Sequence, residues 1–138
     1  MKVNQLMSKN LVKVTSITMV PEVAQKMRQE NIGLIPVEDN GQLVGVVTDR
    51  DIAINAVAKG EINQPVKAIM TKALVTIGPN SNVEEAIQTM LQHNVRRLPV
   101  IDNGRLMGMV SLEDLTEAGS DQDLIKALRT FHKKTKHA

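Results

Sequence analysis

Between Leu11 and Thr48 the spacing of apolar residues changes twice. "LVKV", residues 11 to 14, is a short apolar run of strand type. From Val20 the apolar residues fall three and four apart, at Val20, Val23, Ala24 and Met27, which predicts an amphipathic helix opened by Thr18. In "LIPVEDNGQLVGVVT" they crowd into two runs joined by Asp-Asn-Gly. That pattern predicts two strands in a hairpin, because Asn and Gly tolerate the left-handed backbone of a tight turn. A second helix is predicted after Thr48.

The whole pattern occurs again 63 positions later without a gap. Met7 falls on Met70, Val12 on Val75, Met27 on Met90 and Pro36 on Pro99. Asp39, Asn40 and Gly41 fall on Asp102, Asn103 and Gly104, Gly45 on Gly108, and Asp51 on Asp114. Each copy therefore reads β, α, β, β, α. In the second copy Ser81 and Glu84 have the spacing of a capping box for its helix, which carries Val83, Ala86, Ile87 and Met90. Two copies are too few for a solenoid, which needs about three, so they are expected to pack about a pseudo-twofold axis. "SDQDLIKALRTFHKK" adds one C-terminal helix, capped by Ser120 and Asp123, with Leu124, Ile125, Leu128 and Phe131 forming a packing face.

Composition narrows the classes of function. With 138 residues, 42% of them hydrophobic and 23% charged, the chain suits one globular domain or two small halves sharing a core. No apolar run approaches the roughly 20 residues of a membrane span, and "MKVNQLMSKN" lacks the apolar stretch of a signal peptide. A cytoplasmic protein is the expectation. The absence of cysteine removes disulfides, thiolate metal sites and a cysteine nucleophile. Phe131 is the one aromatic residue, which weighs against nucleic-acid binding by base stacking. The chain carries 12 basic and 12 acidic residues through Thr116, so its net charge of +2 arises in the tail. A solvated terminus accounts for that excess. His93, His132 and His137 have no metal-ligand spacing, and no catalytic triad or carboxylate pair can be assigned, so no enzyme is expected.

The candidate chemistry lies in "GVVTDRD", residues 45 to 51, and its counterpart "GMVSLED", residues 108 to 114. Two readings compete. In one, Thr48 with Asp51 and Ser111 with Asp114 simply cap helices, each hydroxyl accepting from backbone N–H and each carboxylate meeting the helix dipole. In the other, the strand end and hydroxyl receive a phosphate while the aspartate accepts two hydrogen bonds from a ribose diol. Capping leaves Gly45 and Gly108 unexplained, since glycine weakens a strand unless something must approach its backbone closely.

These paired motifs, with "IPVED" and "LPVID", resemble the tandem cystathionine-β-synthase (CBS) domain pair, or Bateman module, of the free-standing bacterial or archaeal type. The resemblance covers roughly residues 3 to 118. It implies an α/β (α+β) fold of two pseudo-twofold β-α-β-β-α motifs packed sheet to sheet, residues 1–60 and 61–118, followed by a C-terminal helix and basic tail, 119–138. It also implies a regulatory sensor that binds an adenosyl compound, AMP, ADP, ATP or S-adenosylmethionine, in clefts between the motifs. No cofactor is required. A homodimer is expected, and an unidentified protein partner is possible. The alternative is a structural or partner-binding protein with empty clefts.

By that resemblance Asp51 and Asp114 hold ribose hydroxyls, and Thr48 and Ser111 approach phosphate or sugar. The Asp114 cleft is expected to take its base-facing wall from Met7, Val12, Ile32 and Gly33, and the Asp51 cleft from Met70, Val75, Val95 and Arg96. Where "NVRRLPV" has Arg96 and Arg97, the first copy has Gly33 and Leu34, so the basic positions are filled once. The Asp114 cleft is thus the better candidate for an anionic nucleotide. The competing reading of Arg96 and Arg97 is exposed strand-edge charge, and Arg50 offers a lesser contact to the other cleft.

Overall fold

The computed structural model describes residues 1–118 and 121–136, with side chains throughout except at 121, 123 and 134–136. In chain order the elements are α1 (Val3–Leu6), α2 (Val20–Glu30), β1 (Leu34–Asp39), β2 (Gln42–Thr48), α3 (Asp49–Ile52, running on as a π-helix over Ala53–Val57), α4 (Val83–His93), β3 (Arg97–Asp102), β4 (Arg105–Ser111) and α5 (Asp121–Lys136). Short 3₁₀ turns occupy Val66–Ala68 and Asp114–Glu117. The mixed α/β class is as expected.

The chain forms two units that do not follow the repeat boundaries. One comprises Val12–Leu74 with the hairpin tip Gly104–Leu106, and the other Met1–Leu11, Val75–Asn103 and Met107–Ala138. The residues that open each sequence copy therefore belong with the opposite copy.

In the first unit α2 buries Val20, Val23 and Met27, the predicted stripe, in a core with Ile35, Val37, Val47, Val66 and Ile69. β1 and β2 pair antiparallel, with Ile35 opposite Val47 and a register shift between Val37 and Glu38. Asn40 and Gly41 turn the hairpin at φ 52° and 80°, the left-handed values that Asp-Asn-Gly was expected to supply. In the second unit α4 buries Val83, Ala86, Ile87 and Met90 against Leu98, Val100, Val110 and Leu115. Asn103 and Gly104 repeat the turn at φ 53° and 78°.

Four expectations need correcting. The leading β runs are single parallel bridges, Val14 to Val37 and Ile77 to Val100, because Pro36 and Pro99 have no N–H to give the next bond of each ladder. The second helix cap is Asn82, whose side chain accepts from Glu85 N–H at 2.9 Å, one residue beyond Ser81. In the first copy Met19 holds that place with no side-chain bond, while Thr18 Oγ1 accepts from Thr15 N–H. The closing helix of the second copy is only the 3₁₀ turn Asp114–Glu117. Finally, α5 packs through Ala127 and Phe131, with Leu124 partly buried, and leaves Ile125 and Leu128 about half exposed, at 49% and 53%. The apolar stripe is wider than the face it buries. Of the α5 cap proposed from sequence, Ser120 and the Asp123 side chain lie outside the described residues.

Candidate functional site

The two motifs fold into the same reciprocal turn. Thr48 N–H donates to Asp51 Oδ2 at 2.9 Å, and Asp51 N–H donates to Thr48 Oγ1 at 3.0 Å. Ser111 N–H donates to Asp114 Oδ2 at 2.8 Å, and Asp114 N–H to Ser111 Oγ at 3.1 Å. The capping reading is therefore realised at Thr48, the N-cap of α3, whereas Ser111 and Asp114 make the same reciprocal bonds ahead of a 3₁₀ turn whose N-cap is Glu113. These bonds use one oxygen of each carboxylate and one acceptor site of each hydroxyl. Among the described residues, Oδ1 of Asp51 and Oδ1 of Asp114 accept no hydrogen bond, and all four side chains are half-buried. Each turn thus presents a carboxylate oxygen held in place and a hydroxyl still able to donate, a pairing suited to a sugar diol beside an oxyanion.

The strand glycines admit the chain itself. A Cβ at Gly45 would lie 2.7 Å from Met70 Sδ and 3.0 Å from the Thr71 carbonyl oxygen; at Gly108 it would lie 2.8 Å from both Met7 Sδ and the Ser8 carbonyl oxygen. Thr71 bridges Val46, and Ser8 bridges Met109, by paired backbone hydrogen bonds of 2.8 to 3.0 Å. The segment before each copy thereby becomes a short strap across the other copy's motif strand. The Thr71 hydroxyl also comes within 3.5 Å of Asp51 Oδ2, a long contact. The close approach that glycine implied is thus made by a methionine and a peptide group.

The remaining expected site residues divide between the units. Val12, Ile32, Gly33 and Met70 stand in the unit of Thr48, Arg50 and Asp51, whereas Met7, Val75, Val95, Arg96 and Arg97 stand in that of Ser111 and Asp114. Of the wall expected for Asp114, Met7 alone shares its unit. Val12, Ile32 and Met70 pack on the core beneath Asp51, and Met7, Val75 and Val95 on the core beneath Asp114. The reason is local. Asp49 N–H donates to the Gly33 carbonyl at 2.9 Å, and Leu112 N–H to the Arg96 carbonyl at 2.8 Å, tying the start of each hairpin to its own motif.

Arg50 and Arg97 are exposed. Arg96 is exposed as a residue, yet its guanidinium carbon lies 5.0 Å from the centre of the Phe131 ring, within cation–π range. Sequence reasoning treated Phe131 only as packing and missed this contact, because the helix that brings it there follows the motif. It also missed Asp49, whose carboxylate lies over Gly33, 3.0 Å from where a Cβ would stand. The mismatch of Asp49 with Leu112 in the repeat was the available signal. Among the described residues no group of His, Asp and Glu is placed to hold a metal ion, and no helix is long and apolar enough to cross a membrane.

Comparison with known proteins assigns this architecture. The profile of the CBS domain matches residues 3–57 and again 66–121, and the chain belongs to the CBS domain family. It is 42% identical over 114 residues to the CBS domain-containing protein YhcV of Bacillus subtilis, covering 82% of this chain and 81% of that protein. It is 32% identical over 111 residues to hypoxic response protein 1 of Mycobacterium tuberculosis, covering 78% of each. Among solved structures, the CBS domain pair of protein MJ0100 in complex with 5′-methylthioadenosine and S-adenosyl-L-methionine superposes with a TM-score of 0.75 at 29% identity, over 85% of this chain and 94% of that one. CBSX2 in complex with AMP gives 0.74 at 29% identity over the same shares.

Proposed function

We propose that this CBS domain pair is a regulatory sensor, not an enzyme, that binds an adenosyl compound through the turns of Asp51 and Asp114. The observation that carries the reading is the pair of reciprocal turns, each leaving, among the described residues, one oxygen of a half-buried aspartate without a hydrogen bond and a hydroxyl still able to donate. A carboxylate oxygen so placed accepts from a ribose hydroxyl, and Thr48 or Ser111 donates to the sugar or to a phosphate. Similar structures that hold 5′-methylthioadenosine, S-adenosylmethionine and AMP support the ligand class. Arg96 and Arg97 belong to the same unit as the Asp114 turn, so we assign AMP, ADP or ATP to that site first. A cytoplasmic homodimer acting on a protein partner, without nucleic acid, completes the proposal.

A thermal-shift panel of AMP, ADP, ATP, S-adenosylmethionine and 5′-methylthioadenosine tests it. A ligand at 100 times its Kd adds roughly 2.7 kcal/mol and raises the melting temperature. No shift with any compound would leave the turns as helix caps and the protein as a structural or partner-binding module.

A further inference from the structure

The two turns share one backbone design and differ in charge at two linked positions. The N–H after each hydroxyl residue bonds the carbonyl that opens the same copy's hairpin, Asp49 to Gly33 and Leu112 to Arg96. In the second copy this link carries an arginine and a leucine that is 4% exposed. In the first copy it carries no side chain on one side and a carboxylate on the other. Asp49 is exposed; its Oδ1 accepts from Arg50 N–H at 2.8 Å, and its Oδ2 stands 3.0 Å from where a Cβ on Gly33 would be. The Thr48 hydroxyl is thus flanked in sequence by two carboxylates, Asp49 and Asp51, against one guanidinium, the exposed Arg50. The second copy has Glu113 and Asp114 after Ser111, and the unit that holds them also contains Arg96 and Arg97.

From this we infer that Asp49 sets the ligand charge preference of the Asp51 site, which favours an adenosyl compound with no anionic 5′ group, a neutral thioether or a sulfonium, over 5′-phosphates. The inference rests on the reading that Asp51 holds an adenosyl ribose. A phosphate brought to Thr48 meets a like charge on the next residue with no arginine at position 33 to offset it, and at separations of several ångströms near the surface that repulsion weakens binding severalfold. An uncharged 5′ substituent does not incur it. Asp49 acts here as a specificity residue through its charge, and no contact with the ligand is needed.

The experiment titrates AMP and 5′-methylthioadenosine into the protein and into Asp49→Asn, each in an Asp114→Ala background that removes the carboxylate of the other turn. Asparagine keeps the Oδ1 acceptor for Arg50 N–H, and melting curves verify that each variant is folded. The expected result is that Asp49→Asn raises the affinity for AMP relative to 5′-methylthioadenosine about 3- to 10-fold. Added salt should raise the same ratio without the substitution, because it screens the repulsion. A ratio that moves less than about twofold in both tests overturns the inference. Binding of 5′-methylthioadenosine that is lost in Asp51→Ala, alongside an unmoved ratio, leaves the ribose reading standing and removes Asp49 alone; binding indifferent to Asp51→Ala overturns both.

Discussion

The Asp51 and Asp114 turns close with hydrogen bonds that agree within about 0.1 Å, yet they sit in different surroundings. After Asp51 the chain runs on through α3 and a π-helix to Val57. After Asp114 it makes one 3₁₀ turn, and α5 then places Phe131 under Arg96. The difference teaches that a few adjacent residues suffice to build the cap, whereas the charge around it depends on residues up to 20 or more positions away in the chain.

The largest expected effect tests what the two turns share, the glycine notch. Gly45→Val and Gly108→Val each drive a side chain into a methionine sulfur and a backbone carbonyl, and overpacking of that kind costs about 1–3 kcal/mol, or more where backbone must move. Chemical denaturation should show both losses. Trimming Met70→Ala in the Gly45→Ala background should recover part of the loss from Gly45→Ala, with coupling of at least about 0.5 kcal/mol in a double-mutant cycle. Independent additivity would break the notch account.

Removing the aspartates sharpens the comparison. Asp51→Ala loses part of the α3 capping box and Asp114→Ala the matching bond to Ser111 N–H, and each should cost about 0.5–2 kcal/mol in thermal unfolding. If Asp114 holds the ribose of an anionic nucleotide, its variant should also weaken AMP about 10- to 150-fold by calorimetry, and Asp51→Ala should affect that phase less. Equal AMP affinity in both variants, with only the melting temperatures lowered, would reduce the doubled motif to a pair of caps.

A smaller difference lies in the cation over Phe131, which the first copy lacks. Arg96→Gln and Phe131→Leu should couple by about 0.5–1 kcal/mol in a double-mutant cycle of stability. A coupling indistinguishable from zero would assign the contact to packing alone.

The smallest effect concerns acid. Hydrogen bonds from Ser16, side chain and backbone N–H together, hold the Asp39 carboxyl below its usual range, and the N–H reaches Oδ1 at 3.0 Å. The second copy has Pro79 at the position of Ser16 and no N–H to give Asp102. Because the folded pKa is depressed, the stabilisation from Asp39 is fully present above the unfolded pKa near 4 and is lost as pH falls through the lowered folded value. Melting temperatures from pH 7 to pH 2 should show the advantage of the protein over Asp39→Asn shrinking below about pH 4. A difference that stays constant over that range would mean the carboxyl titrates alike in both states.

The repeat, the buried stripes of α2 and α4, and the Asp-Asn-Gly hairpins were legible along the chain, because apolar spacing and left-handed turn residues act within about ten positions. The reciprocal caps were legible too, since Thr48 and Asp51 are three residues apart and meet on folding. Their charge environment was less so. Gly33 and Asp49 are 16 residues apart, and only β1 and β2 folding back on each other brings them together.

The sequence alone determined the CBS family, the doubled motif and the two candidate carboxylates, because duplication at a fixed offset and a hydroxyl three residues before an aspartate are properties of order along the chain. Tertiary structure decided what fills the glycine notch, which copy each opening segment joins, and where the Arg96 guanidinium rests. Those outcomes depend on contacts between Met70 and Gly45, Met7 and Gly108, and Phe131 and Arg96, separated by 25, 101 and 35 residues. No local propensity ranks such pairings. They are settled by which long-range packing leaves the fewest apolar atoms in water and the fewest backbone groups unbonded.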